Sequence, residues 1–209
     1  MVRIPSKCAT IRVLFHTLAC ALAILASASS LPAQRGGIAL RQNLAALVDE
    51  AAVIVRGPVV SAHVETHPQF ENLYTVVVSL RVEKTIKGEA GEIFTFRQFI
   101  WDARDRYNAA GYRKSQYVLL LITRPSEYGL SSPVGLEQGR FRLLRVGEDK
   151  LLAVNGAGNQ GLFRGMKHEL MKRGIALPPR VEQIVTEERG GPIPLNDLEE
   201  IIAALARAR

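Results

Sequence analysis

The sequence predicts a mainly β fold of the α+β class. We expect a small antiparallel barrel of five or six strands, with one short helix before it and two or three helices after it. Apolar runs with a two-residue period fill the middle of the chain, turns rich in Gly, Pro and Asn separate them, and apolar residues at helical spacing lie on both flanks. Short strands joined by hairpin turns favour a barrel over an alternating α/β fold.

The first 33 residues have the pattern of a secretory signal peptide. Basic residues precede an apolar run at residues 13–25, and the small-residue sequence Ala-Ser-Ala follows it. We therefore expect export to the periplasm or the exterior, with cleavage after Ala28 or after Ala33. An uncleaved membrane anchor is the alternative, although this apolar run falls short of the usual length of a membrane span.

Cleavage would change both the thiol content and the charge of the chain. Cys8 and Cys20 both precede the cleavage sites, so the mature chain would have no thiol for a disulfide, a metal site or a nucleophile. The formal net charge of +7 would fall to +4, because three cations are lost with the leader: Arg3, Lys7 and Arg12. This surplus is not the dense basic stripe of a nucleic-acid binder. We expect no nucleic-acid partner and no membrane span after cleavage.

A short helix and a long first strand should begin the mature domain. Helical spacing predicts a helix within residues 38–51, with apolar residues Leu40, Leu44, Leu47, Val48 and Ala51 on one face. The β-branched run at residues 51–66 predicts one strand, and Gly57-Pro58 in its middle predicts a bend.

The next two strands should form a hairpin. Alternation places four apolar side chains on the predicted inner face, namely Val76, Val78, Leu80 and Val82. The outer face receives Thr75, Ser79, Arg81 and Glu83. A glycine-bearing turn at residues 87–91 then leads to a strand at residues 93–101.

Three further strands should complete the barrel. The unbroken apolar run at residues 117–123 is typical of a strand covered on both faces. After a turn-rich loop at residues 126–138, the runs at residues 139–146 and 151–155 predict a second hairpin.

Beyond this hairpin the sequence becomes helical. Asn-Gly-Ala-Gly-Asn at residues 155–159 predicts a linker. A first helix is predicted from the apolar face Leu162, Phe163, Met166, Leu170 and Met171, and a short second helix spans residues 181–189. The last helix should begin at Asn196 as N-cap, with Glu199 completing a capping box. Its apolar stripe is Leu198, Ile201, Ile202 and Leu205.

The domain organisation follows from this order of elements. We divide the chain into a signal peptide (residues 1–33), a short helix leading into the barrel (34–52), the barrel itself (53–155) and a helical C-terminal extension (156–209).

Three sequence motifs carry a family resemblance. They are Ala-Ala-Val-Ile-Val-Arg-Gly-Pro-Val at residues 51–59, Val-Glu-Lys-Thr-Ile-Lys-Gly at 82–88 and Tyr-Val-Leu-Leu-Leu at 117–121. In this order they are similar to exported bacterial proteins of unassigned function that have a netrin-like OB-fold barrel, like that of the tissue inhibitors of metalloproteinases. The resemblance covers residues 44–146. It implies an OB-like barrel that serves as a binding module.

Two departures from the family pattern limit what the resemblance implies. The tissue inhibitors act through an N-terminal cysteine that chelates the protease zinc, and the expected mature chain has no cysteine. Where related proteins have Gly-Glu before the apolar strand, this chain has Ser115-Gln116. The fold expectation survives both departures, but protease inhibition by that mechanism does not.

The expected binding surface is the Arg/Tyr-rich loop from Asp102 to Lys114. The candidate binding residues in and around this loop are Arg97, Arg104, Arg106, Tyr107, Tyr112, Arg113 and Lys114. Arginine and tyrosine dominate protein-binding hot spots, and OB barrels present ligand sites on their loops. We expect a non-enzymatic module that binds a protein or another envelope or extracellular ligand. The alternative is an ordinary solvent-exposed loop.

Catalytic chemistry finds less support in the sequence. His63, Glu65 and His67 alternate along a strand and could bind zinc in a hydrolase, but no remote fourth ligand is evident. Asp102 and Asp105 alternate with arginines that would keep them ionised. No serine has the context of an activated nucleophile. We therefore expect no cofactor and, apart from the zinc alternative, no metal and no enzyme activity. An OB-fold nucleic-acid binder is a third option, which the export signal and the small net charge oppose.

Overall fold

The computed structural model of the chain describes residues 39–100, 102–148 and 150–208. The predicted signal peptide and Trp101 lie outside the described residues. The described part is mainly β, with an antiparallel sheet and four α-helices, as the sequence predicts. Within it, no helix has both the length and the apolar character that crossing a membrane requires.

The residues that the structure describes form eight strands and four α-helices. The strands are β1 (Val53–His67), β2 (Phe70–Arg81), β3 (Lys84–Lys87), β4 (Ile93–Phe99), β5 (Tyr117–Ile122), β6 (Arg140–Val146), β7 (Lys150–Asn155) and β8 (Ile193–Pro194). The helices are α1 (Leu44–Glu50), α2 (Met166–Lys172), α3 (Pro179–Glu187) and α4 (Leu195–Arg207). The strand order is β4-β2-β1-β5-β6-β7-β8, and β3 pairs with β1 alone. The sheet is not closed, so the predicted barrel of five or six strands is not confirmed.

Strand β1 belongs to two parts of the sheet. Residues 53–58 pair with β5, and residues 59–67 pair with β2. At the change of partner, a Cβ atom on Gly57 would lie only 1.9 Å from the carbonyl oxygen of Arg81. Glycine is required there because the backbones approach more closely than a side chain permits.

The predicted hairpin of β2 and β4 is confirmed. Arg81 pairs with Ile93 at one end of the ladder and Thr75 with Phe99 at the other. The turn was predicted at residues 87–91, but the connection also contains an additional strand, β3, which ends at Lys87 and pairs with β1. The sequence Lys-Thr-Ile-Lys is too short to reveal a period, so this strand escaped prediction.

Two apolar clusters lie on opposite faces of the sheet, and β5 contributes to both. Leu119 and Leu121 pack with the four helices, whereas Val118, Leu120 and Ile122 pack with β1, β2 and β4. This confirms that β5 is covered on both faces. Val76, Val78 and Leu80 are fully buried on the predicted inner face, and Val82 is half-buried against the same cluster.

Helix α1 is shorter than predicted. It begins at Leu44, where the side chain of Asn43 accepts a hydrogen bond from the Ala46 amide at 3.0 Å and caps the helix. Leu40 lies outside the helix and is 85% exposed, so its agreement with the helical spacing was coincidental.

Residues 155–159 are not an exposed linker. The side chain of Asn159 accepts a hydrogen bond from the Asn155 amide at 2.9 Å, and the side chain of Asn155 accepts one from the Asn159 amide at 2.8 Å. Both asparagines are buried. Their reciprocal bonds satisfy the backbone in a tight turn that brings the C-terminal helices onto the sheet.

The first and the last of the three C-terminal helices, α2 and α4, differ from the prediction at their N-termini. Helix α2 begins at Met166, and Met171 is exposed instead of facing the core. Helix α4 begins at Leu195 after Pro194, so Asn196 is not its N-cap. Glu199 does not form a capping box. It is buried and bonds to Arg56 at 2.7 Å and to Lys84 at 2.6 Å, because the helix docks beside β1 and β3.

Candidate functional site

The exposed part of the Arg/Tyr-rich loop lies beside the β1–β2 hairpin. A turn at Ala103–Arg106 begins where Asp102 accepts a hydrogen bond from the Arg104 amide at 2.9 Å. The Asp102 carboxylate also bonds the Arg104 guanidinium, which raises the pKa of Arg104. The guanidinium of Arg106 lies 3.5 Å from the ring centroid of Tyr74 on β2. Tyr107 is 92% exposed.

Tyr112 is a buried residue of the loop and cannot contact a ligand at the surface. Its hydroxyl donates to Gln98 at 3.3 Å, and the Arg140 guanidinium lies 4.5 Å from its ring centroid. Burial raises the pKa of Tyr112 to about 12. Its ring packs edge-on against Phe96 in the apolar cluster. Tyr112 therefore anchors the loop.

Arg140 completes this anchor and was missed by the sequence analysis. The buried guanidinium donates to the Ala110 carbonyl at 2.7 Å and to Glu137 at 2.9 Å. Ala109 and Ala110 have positive φ angles of 49° and 53°, which L-residues rarely adopt. A fixed partner for the Ala110 carbonyl helps to hold this backbone. Nothing in the sequence links Arg140 to a loop 30 residues earlier.

Arg97 lies outside the loop, on the outer face of β4. Its guanidinium bonds Glu65 at 2.5 Å and the Thr75 hydroxyl at 2.8 Å. The Arg97 guanidinium holds the pKa of Glu65 below its usual value. Thr75 was expected on an outward, polar face, but it is completely buried, and its hydroxyl bonds Arg97 and the Glu65 carbonyl.

Arg113 and Lys114 are exposed at the far end of the loop. The amide of the next residue, Ser115, donates to the Val59 carbonyl of β1 at 2.8 Å. Arg106 instead lies against Tyr74, which pairs with Thr66 of β1. Seven residues of extended strand separate these two positions on β1, or about 23 Å. The structure therefore brings Arg104, Arg106 and Tyr107 together and leaves the other predicted residues apart.

The alternative metal ligands do not converge. His63 and Glu65 share a face of β1 and bond at 3.0 Å. A register irregularity between Thr66 and His67 breaks the alternation. The ring of His67 is buried, with one nitrogen 2.9 Å from the Tyr128 carbonyl oxygen and the other accepting from the Gln69 amide. In the described ranges, no group of three or more His, Cys, Asp or Glu side chains could hold a metal ion.

A pocket that the sequence did not reveal lies between β4 and β5. It has a volume of about 420 Å³ and is lined by Phe99, Thr123, Ser126, Leu130, Ser131 and Ser132. Next to it, Tyr128 packs edge-on against Phe70 at the tip of the β1–β2 hairpin. The sequence identified residues 126–138 only as a turn-rich loop, because no residue type there specifies a cavity.

Comparison with known proteins adds no relative. No protein-family model, no curated protein and no solved structure matches the chain.

Proposed function

We propose that the protein is an exported, non-enzymatic binding module with a netrin-like, OB-like barrel. Two bridges outside the main ladder support the barrel. Arg97 of β4 bridges to Leu130, and Ile122 of β5 bridges to Pro133. Residues 130–133 thus join the two strands that the main ladder leaves apart. The apolar cluster of β1, β2, β4 and β5 would be the interior of this barrel.

The observation that carries the binding proposal is the arrangement of Arg106, Tyr74 and Tyr107. The cation–π contact restricts the Arg106 side chain, and Tyr107 projects almost entirely into solvent beside it. Because an ordered arginine and a tyrosine lose little entropy on association, they are favourable contacts for a protein surface. Arg104, whose guanidinium bonds Asp102, adds a second cationic group beside Arg106, so the partner would present carboxylates.

The partner is tested by affinity capture with the mature protein. The triple variant Arg104→Ala/Arg106→Ala/Tyr107→Ala should lose at least about tenfold in affinity for a captured envelope protein, since it removes two potential hot spots. The matched control is Lys167→Ala/Lys172→Ala, which removes two exposed cations from α2. Equal affinity of the wild type and the triple variant would rule out the loop as the binding surface.

Export is tested separately. N-terminal sequencing of material produced in a bacterial host should find a chain that begins after Ala28 or Ala33. Recovery of intact Met1 in the membrane fraction would support the uncleaved anchor instead.

A further inference from the structure

The pocket between β4 and β5 has a rigid frame. The Ser131 amide donates to the Arg97 carbonyl at 2.8 Å, the Thr123 amide donates to the Ser132 carbonyl at 3.0 Å, and the Val134 amide donates to the Leu121 carbonyl at 2.8 Å. The wall formed by residues 131–134 is thus tied to both strands. A wall that is ordered before binding reduces the entropic cost of binding a ligand.

The polar lining of the pocket consists of hydroxyl groups. The oxygen of Ser126 accepts hydrogen bonds from the amides of Tyr128 and Leu130 at 3.3 and 3.2 Å, and that of Thr123 accepts from the Ser132 amide at 3.1 Å. These bonds fix both oxygens and leave each O–H able to donate elsewhere. Ser131 and Ser132 add two further hydroxyls.

The rest of the lining is apolar and uncharged. Phe99 and Leu130 are half-buried and give the pocket one aromatic and one aliphatic wall. None of the described residues that line the pocket is charged. A charged ligand would lose hydration there without gaining a counter-ion. A neutral ligand needs no counter-ion.

We propose that this pocket binds an uncharged sugar of one or two rings. Sugar hydroxyls both donate and accept, as the hydroxyl groups of the lining do, and the C–H face of a sugar ring can pack on Phe99 and Leu130. The volume of about 420 Å³ lies within the usual range of small-ligand sites. The site is separate from the Arg/Tyr-rich loop, and the proposal does not depend on that loop binding a protein.

Saturation-transfer NMR on the purified mature protein tests the proposal. The probes are maltose, cellobiose and N,N′-diacetylchitobiose, with glucuronic acid and glucosamine as charged comparisons. We expect transfer to at least one neutral disaccharide and weaker transfer to the charged sugars. Ser131→Ala/Ser132→Ala should raise the Kd at least about tenfold. The control Ser61→Ala, on β1 outside the pocket, should leave the Kd unchanged.

Three results would overturn the proposal. The first is no transfer to any of the three neutral disaccharides. The second is an unchanged Kd in Ser131→Ala/Ser132→Ala, which would place a bound sugar elsewhere. The third is stronger transfer to a charged sugar than to every neutral one. The two substitutions remove only hydroxyl oxygens, so we expect the melting temperature to stay unchanged. An unchanged melting temperature would show that a loss of binding is not caused by a loss of fold.

Discussion

Single buried polar side chains hold the irregular loop between β4 and β5 against the sheet. Tyr112 reaches inward from the loop, and Arg140 reaches it from β6. Their contacts satisfy the Ala110 carbonyl and place the phenol in an apolar setting, where its charged form is disfavoured. The ionisation of Tyr112 is therefore coupled to folding.

The stability of the protein should fall at alkaline pH because of Tyr112. Burial raises the pKa of this phenol to about 12, whereas in the unfolded chain it titrates near about 10. Below pH about 10 the phenol is protonated in both states, so its contribution is complete. From pH about 10 to about 12 only the unfolded state loses the proton, and the free energy of unfolding should fall by about 1.4 kcal/mol per pH unit.

Urea unfolding of the wild type and of Tyr112→Phe at pH 9 and pH 11 measures this effect. The variant should lose less stability between the two values, because its buried ring cannot ionise. The other tyrosines and the lysines serve as an internal control, since both proteins contain them. A pH dependence identical in the two proteins would refute the role of Tyr112.

At the scale of elements, the alternation of β2 determines which of its side chains pack into the apolar cluster with β1, β4 and β5. Val78 points into the apolar cluster and is fully buried, whereas Val77 is half-buried on the opposite face and pairs with Arg97. The two neighbours are the same residue type in the same strand. They therefore form a matched pair for testing the register.

Val78→Asp should reduce the free energy of unfolding by about 3 kcal/mol or more, since it buries a carboxylate and loses apolar contacts. Val77→Asp should cost about 1 kcal/mol or less, because its carboxylate remains near water and near Arg97. Urea denaturation gives both values. Similar losses in the two variants would contradict the assigned faces.

A buried carboxylate, that of Glu199, should help to dock α4. Glu199 bonds both Arg56 and Lys84, and its replacement by Gln leaves those cations without a counter-charge. We expect Glu199→Gln to destabilise the protein by about 2–3 kcal/mol, and Glu200→Gln, at an exposed neighbour, by less than about 0.5 kcal/mol. Equal unfolding midpoints in the two variants would mean that this ion pair does not stabilise the docked helix.

Elements with a long, clear period could be predicted, and contacts between distant residues could not. The β2–β4 hairpin follows from the alternation in both strands, whereas β3 has only four residues and forms by pairing with the distant strand β1. In the loop, the exposure of Tyr107 and the burial of Tyr112 could not be distinguished locally. The difference depends on Arg140, whose position only the folded sheet determines.

At the scale of the whole molecule, the C-terminal helices cover one face of the sheet. Leu162, Phe163, Leu198 and Ile202 are buried in one cluster with Phe141 of β6. Without these helices, the face of β5 and β6 that now lies under them would be exposed to water. The helices therefore contribute to the stability of the sheet.

Truncation after Asn159 should abolish cooperative unfolding and favour aggregation, because it uncovers this apolar face. Near-ultraviolet circular dichroism and size-exclusion chromatography follow the two effects. A chain that stops after Arg207 is the control and should behave as the full-length protein does. A truncated protein as stable and soluble as the control would mean that the helices serve a partner instead.

Because both faces of β5 are buried, local unfolding of one apolar cluster around it should also disturb the other. A local opening that releases β5 from the helices also loosens its contacts with β1, β2 and β4. The amides of β5 should therefore exchange with deuterium only through global unfolding, whereas those at the tip of the β1–β2 hairpin exchange through local opening. In kinetic terms, residues 118–122 define the slowest-exchanging unit of the protein.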